Sequence, residues 1–422
     1  MTTTPTGDDP TPTVPAAAVP ADPPGPHGSV AAPGWLALTA SERGASHAAM
    51  DAPNQDAVAA AQAGEHGLVA AVADGHGHWR HLRSARGSRL AVQVGCDVGK
   101  ELADRLATGG PPATFATSAT TTQASPGRAD AEADAADATD GASAPGADDA
   151  VAGTARQVMD LVMEFAVPGI TRRWREAVLA DLAADPFDDA EQDHRLPGDD
   201  PTIAYGSTLL LAVAADRWLV LAQIGDGDVV GVRPDGSADL PVPADPQLDG
   251  LVTTSLCGAD PVSDFRVAVV DTAQVPLLAV LLATDGYGNA QVIEAWPEAF
   301  SRDLAWLLRG HDDRWLAEQL PAWTARCASA DGSADDTTVA LLLCPARMAA
   351  LAGASHPLGD LDSSQEATIP AIIRGDTTPS YQVPPGHNAS EPITVRMRQA
   401  NLAADFASQP PGRAAGGGMG SR

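Results

Sequence analysis

Basic residues are scarce in this chain. Lys and Arg total 26 against 55 Asp and Glu, a formal net charge of −29. Such a surface repels nucleic acid and anionic membrane, which argues against both as partners. It suits a cationic partner, or a phosphate delivered through metal ions. Cysteine is scarce too: Cys96, Cys257, Cys327 and Cys344 are the four among 422 residues. None sits in a CxxC pair, which argues against a structural zinc site. Scattered thiols read instead as reduced core residues of a cytoplasmic protein. Aromatic residues are only 4%, and Ala-rich tracts inflate the 44% that is hydrophobic. Long apolar runs are missing. The longest candidate, over residues 275–283, is far short of the roughly 20 residues that span a bilayer. The start of the chain has neither a basic cluster nor a long apolar block, so no secretory signal is expected.

What is present divides unevenly. Residues 1–33 are rich in Thr, Pro, Ala and Asp and read as a disordered tail. Residues 107–152 have a similar composition and interrupt an otherwise globular pattern, as a low-complexity insertion. Residues 348–422 read as a second, largely disordered tail. One domain of ordinary size is left, over residues 34–347.

Within it, "GLVAAVADG" is a continuous small-apolar run ending in Asp-Gly, as a buried strand ends. "STLLLAVAADRWLVLAQIGDGDVVGVRPDG" reads as three strands with turns at Ala215-Asp216 and Gly225-Asp226-Gly227. "FRVAVVD", "LLAVLLATDG" and "DDTTVALLLC" add three more. Helical spacing marks residues 84–106 and 154–184, the latter with a kink expected at Pro168, and then "EAFSRDLAWLLRG" and "DRWLAEQLPAWTARCA". Runs of hairpin strands beside pairs of helices predict an α+β fold. Its two antiparallel β-sheets form a central sandwich flanked by helix pairs.

The chemistry lies in strand-end carboxylates. Asp74 in "VADGHG", Asp226 in "QIGDGD", Asp285 in "LLATDGYG" and Asp335-Asp336 before "TTVALLL" all flank apolar strands, and Asp56 in "PNQDAV" is a fifth position. A carboxylate there is costly to desolvate unless it is paired or metal-bound. Each Asp-Gly alone is an ordinary turn. Five that converge need a cation, and hard divalent ions take such oxygen ligands.

The motif set resembles the metal-dependent serine/threonine protein phosphatases of type 2C. It reads "GASHAAMDAPNQDAVAA", "VAAVADGHG", "AYGSTLLLAV", "QIGDGDVVGVRPDG", "TTSLCG", "LLATDGYG" and "DDTTVALL", in that order. The "PNQDA" form is most similar to a bacterial subgroup. The resemblance implies a binuclear centre at one end of the sandwich, with two divalent ions, Mn²⁺ or Mg²⁺, whose bridging water attacks the phosphate. It implies that Asp74 bridges the ions and that the Gly75 carbonyl is a ligand to one. Asp285 and Asp335 would complete the other, and Asp56 would sit beside the first through waters. Asp226 and Asp285 match the pair that holds a weaker third ion. His76 matches the general acid that protonates the leaving oxygen, a task suited to an imidazole. Phosphorylated proteins of a serine/threonine kinase are the implied substrates, and the expected state is a monomer.

Four positions depart from the family pattern. Gln55 stands where Glu is usual. The phosphate-gripping Arg is absent, and His47, separated from Asn54 by a short insertion, is its nearest match. Asp336 replaces a common Asn. "DGHGHWRH" carries extra histidines, of which His78 and His81 read as polar residues at a helix start. Two other readings compete. His76, His78 and His81 form an HxHxxH-like cluster that a zinc hydrolase could use, but the ordered Asp motifs favour a harder ion. A phosphatase-like binding module would tolerate Gln55 and His47, but it would not be expected to keep Asp74, His76, Asp285 and Asp335 together. Residues 237–252 are Pro- and Asp-rich and match the family's mobile flap. "ATIPAIIRG", residues 367–375, is an apolar island that could dock a partner.

Overall fold

The strands Gly67–Ala73, Leu209–Ala215 and Ala279–Ala283 are apolar along their whole length because both of their faces are covered. The computed structural model describes residues 27–65, 67–108, 147–247, 253–293 and 295–353. Eleven strands are among them. In chain order they are β1 (His27–Ala32), β2 (Trp35–Glu42), β3 (Ala57–Ala63), β4 (Gly67–Ala73), β5 (Leu209–Ala215), β6 (Trp218–Ile224), β7 (Asp228–Val232), β8 (Ala238–Asp239), β9 (Arg266–Asp271), β10 (Ala279–Ala283) and β11 (Thr337–Leu343). One sheet has the order β1-β2-β11-β10-β7-β8 and the other β3-β4-β5-β6-β9, and every pairing is antiparallel.

Helices cover the outer faces. They are α1 (Ala45–Ala49), α2 (Ser84–Ala107), α3 (Ala147–Leu161), α4 (Val167–Ala184), α5 (Asp189–Asp193), α6 (Pro261–Asp264), α7 (Asp285–Asn289), α8 (Trp296–Gly310), α9 (Asp313–Cys327) and α10 (Pro345–Gly353). α2 lies across β3, β4 and β5, with α4 against it; α8 and α9 lie on the other sheet. Side chains alternate sides along a strand. In β4, Val69, Ala71 and Ala73 therefore face α2, while Leu68, Ala70 and Val72 face the opposite sheet. β11 divides the same way, with Val339, Leu341 and Leu343 toward the helices and Ala340 and Leu342 inward. Four layers result, and the expected α+β sandwich is the architecture found.

Several boundaries differ from the sequence expectation. β1 lies inside the stretch assigned to the N-terminal tail, because it completes itself by pairing with β2 rather than by its own hydrophobicity. α3 begins at Ala147, within the stretch assigned to the insertion. α10 runs past residue 347, with Met348 and Leu351 buried. The turn at Gly225-Asp226-Gly227 is no hairpin: β6 and β7 belong to different sheets. The irregularity expected at Pro168 is a π turn over Val162–Ala166, just before the proline enters α4. The island at residues 367–375 lies outside the described residues, as does the end of the flap segment at residues 248–252. Among the described residues, no helix is long and apolar enough to cross a membrane.

Candidate active site

Strand ends deliver the carboxylates to one place. Asp74 follows β4, Asp226 follows β6, Asp285 follows β10 and Asp335 precedes β11. Asp74, Asp226 and Asp285 are half-buried, Asp56 is buried and Asp335 is exposed, as in a cleft with a floor and a rim. Thr208 fixes Asp74: the Asp74 N–H donates to Thr208 Oγ1 at 2.9 Å, and the Thr208 N–H donates to the Asp74 carbonyl at 2.8 Å. Gly75 continues the chain in a bridge to Ser207. A Cβ on Gly75 would lie 2.7 Å from the Gln55 carbonyl, so only glycine fits.

Mutual repulsion marks the cluster. Burial first, then the charges of Asp56, Asp285, Asp335 and Asp226, hold the Asp74 carboxyl well above the usual range. Asp285 is pushed up to about 8 by burial, Asp226 and Asp335. Its carboxyl lies within hydrogen-bonding reach of Asp74, so a shared proton relieves the pair. Asp226 is raised by burial, although a Thr253 hydroxyl and Arg266 partly relieve it. Asp228, the second acid of "IGDGD", is pushed up to about 7 by burial and Asp226.

Asp56 forms the floor. Thr284 Oγ1 donates to Asp56 Oδ2 at 2.8 Å, while Asp56 Oδ1 is buried without a protein partner. Gln55 Oε1 beside it is likewise buried and unpartnered. Two orphaned oxygens in an acidic cleft are what a hard cation or its water shell would satisfy. Among the described residues, no group of three or more His, Cys, Asp or Glu converges closely enough to cage an ion as it stands. The oxygen donors nevertheless suit divalent Mn²⁺ or Mg²⁺ by chemistry, and a cation would offset their mutual repulsion.

His47 and Asp336 meet. His47 Nδ1 lies 2.8 Å from Asp336 Oδ2, in a contact that is close but poorly directed as a hydrogen bond. The Asp336 carboxylate also accepts the Gly44 N–H at 2.7 Å and the Gln55 N–H at 2.6 Å. The close side-chain contact with Asp336, and then the charges of Asp336 and Asp335, raise the His47 imidazole above its ordinary value against the opposing effect of burial. The expected phosphate-gripping role is therefore narrowed, because only Nε2 of His47 is left for a phosphate.

His76 is the most constrained side chain of the site. Its Nε2 is 2.7 Å from Ser255 Oγ, and its ring meets that of His81 edge-on with centroids 4.8 Å apart. His81 is pinned in turn through Nδ1 to the Ile203 carbonyl at 2.5 Å. Both rings pass over Gly206, where a Cβ would lie 2.3 Å from His81 Nδ1 and 2.7 Å from His76 Cδ2. Burial and the two other imidazoles push His76 down to about 3, so it is neutral in the free protein. The three histidines do gather, with His78 and His81 centroids 6.0 Å apart. The ring nitrogens committed to Ser255 and Ile203 weaken the zinc reading.

Asp74, Asp226, Asp285, Asp335, Asp56, Gly75 and His76 thus lie at one end of the sandwich, as their strand ends require. Missed by sequence reasoning were Thr208, Thr284, Ser255 and Asp228. Only Asp228 left a signal, as an acid at the start of a strand.

These features define an α+β protein with an acidic, oxygen-lined cleft at one end of a β-sandwich. A sequence model of the protein phosphatase 2C family matches residues 43–324. The chain belongs to that family. No curated protein matches it. Among solved structures it is similar to a bacterial serine phosphatase, at 11% identity over 73% of this chain and 97% of that one, with a TM-score of 0.41. It is similar too to the Mycobacterium tuberculosis serine/threonine phosphatase PstP/Ppp, at 17% identity over 73% and 98%, with a TM-score of 0.39. A third is RsbX in complex with magnesium, at 12% identity over 75% and 98%, with a TM-score of 0.37.

Proposed function

We propose that the chain is a metal-dependent protein serine/threonine phosphatase that hydrolyses phosphoserine and phosphothreonine. The observation that carries this is that Asp74, Asp285, Asp226 and Asp56 lie at one end of the sandwich, where burial first and neighbouring carboxylates second hold each above its ordinary pKa. Without cations such a group keeps protons that ordinary carboxylates release, and hard cations suit its oxygen donors. Asp74, Asp285 and Asp335, with the Gly75 carbonyl, would hold two Mn²⁺ or Mg²⁺ ions. Asp56 would act through waters, and Asp226 with Asp285 would hold a weaker third ion. Bound there, the ions would acidify a water and offset the charge of the phosphate.

His76 would protonate the leaving oxygen. It is neutral in the free protein, and a dianionic phosphate arriving beside it favours the imidazolium that this role requires. His47 would offer Nε2 to the phosphate. The acidic balance of the chain favours phosphoprotein substrates of a serine/threonine kinase over nucleic acid or membrane, and we read it as a cytoplasmic monomer.

The test is hydrolysis of a phosphothreonine peptide and of p-nitrophenyl phosphate, with and without Mn²⁺. Asp74→Ala and Asp285→Ala should each abolish the Mn²⁺-dependent rate; unchanged turnover in either refutes the metal assignment. His76→Ala should slow the peptide more than the nitrophenyl ester, whose leaving group needs no acid. Equal slowing counts against the acid role.

A further inference from the structure

The motif "TTSLCG" begins with three consecutive hydroxyl residues, Thr253, Thr254 and Ser255. In the structure its three hydroxyls point to three different parts of the cleft. Thr253 reaches the Asp226 carboxylate. Thr254 Oγ1 accepts the Gly225 N–H at 2.9 Å and donates to Asp245 Oδ2 at 3.0 Å. Ser255 Oγ takes His76.

The direction of that last bond follows from its neighbours. Ser255 Oγ lies 3.1 Å from the Ser207 carbonyl, which can only accept. Cys257 also borders this oxygen, its N–H donating at 3.4 Å and its Sγ lying 3.3 Å away, but sulfur is the weaker acceptor, which assigns the single hydroxyl proton to Ser207. The same carbonyl also takes the Leu256 N–H at 3.0 Å, which uses its second lone pair. Turning the hydroxyl toward His76 would set two lone pairs against each other at Ser207. Ser255 thus accepts, and His76 Nε2–H donates. An imidazole has two nitrogens, so Nδ1 alone remains for chemistry.

We propose that Ser255 is a positioning residue that holds His76 with its Nε2 proton committed to the protein and Nδ1 as the nitrogen that exchanges a proton with the substrate. His81, edge-on to His76 over Gly206, closes the other side of the ring. The kinetic half of the proposal rests on the phosphatase reading above. The tautomer does not.

The decisive measurement is ¹⁵N NMR of histidine-labelled full-length protein in EDTA at neutral pH, with His76→Gln used to assign the signals. Wild type should show His76 as the Nε2–H tautomer. An Nδ1–H signal overturns the proposal, whatever any variant does. Ser255→Ala should lose this preference and show mixed tautomers, and Ser255→Thr should retain it; an unchanged Ser255→Ala spectrum also overturns the proposal. Losing one hydrogen bond should lower kcat on the phosphothreonine peptide about 5- to 10-fold in Ser255→Ala. The nitrophenyl ester should change less than about twofold, and Ser255→Thr should recover the peptide rate. A shifted tautomer with equal slowing of both substrates sinks the acid role of His76 and supports the hold of Ser255 on the ring.

Discussion

Stripping divalent ions from the protein should make its fold sensitive to rising pH, and Mn²⁺ should remove that sensitivity. An ordinary aspartate titrates near about 3.9. Asp285 in the fold is pushed up to about 8, and Asp74 and Asp56 are shifted in the same direction. Between those values the native state holds protons that the unfolded chain has released. Stability follows the excess of protons on the unfolded state, so here it falls as pH rises through the window. The interval at Asp285 is about four pH units at about 1.4 kcal/mol each, or up to about 5 kcal/mol once it is ionised. The carboxylate keeps contact with solvent, which roughly halves the figure to about 2–3 kcal/mol. A cation in the cleft takes the place of the missing proton, and at 100 times its Kd it adds about 2.7 kcal/mol by mass action. The assay is thermal unfolding from about pH 5 to about pH 8.5, in EDTA and in saturating Mn²⁺. At roughly 2–4 °C per kcal/mol, the EDTA series should lose roughly 5–10 °C across the range while the Mn²⁺ series stays flat. Asp285→Asn should lessen the slope of the EDTA series, with Asp74 and Asp56 accounting for what remains. Parallel slopes with and without Mn²⁺, or a full slope in Asp285→Asn, would refute the reasoning.

Two substitutions probe the supports of the cleft. Thr284→Val removes the 2.8 Å hydrogen bond that orients Asp56, and should weaken Mn²⁺ binding about tenfold by calorimetry. Gly206→Ala places a methyl against His81 and His76, and should cut phosphopeptide turnover more than about tenfold while leaving Mn²⁺ affinity within about twofold.

The strands were legible because a four-layer sandwich buries both faces of β4, β5, β10 and β11, leaving continuous apolar runs. Which sheet each strand joins was not. Gly225-Asp226-Gly227 has the composition of a hairpin turn, yet it carries the chain from one sheet to the other. β1 escaped notice because it is mostly exposed and held by its pairing with β2, and its composition matches the tail before it. The acids of the cleft were readable because a carboxylate beside a buried strand is an anomaly in itself. Their hydroxyl partners were not. Thr208, Thr284 and Ser255 are ordinary strand-end and loop residues, and the groups they hold lie 134, 228 and 179 positions away. Nothing local to a threonine reports such a partner.

Two departures from the family pattern become one when the side chains are placed. His47 stands where an arginine is usual and Asp336 where an asparagine is usual, and in sequence they are 289 positions apart with no visible relation. In the fold they touch at 2.8 Å. A neutral amide at position 336 would demand no cation, and an arginine at position 47 would be free to reach outward. A buried carboxylate at 336 has two backbone N–H donors, from Gly44 and Gln55, but these leave its full charge uncompensated at the foot of an acidic cleft. The imidazole of His47 supplies that compensation, and the carboxylate in turn raises the imidazole toward its charged form. Each residue is explained by the other. The pair also ties the α1 segment to the strand end that carries Asp335, so one rim of the cleft is fixed by this close internal contact. A residue at position 47 devoted wholly to substrate could not do this.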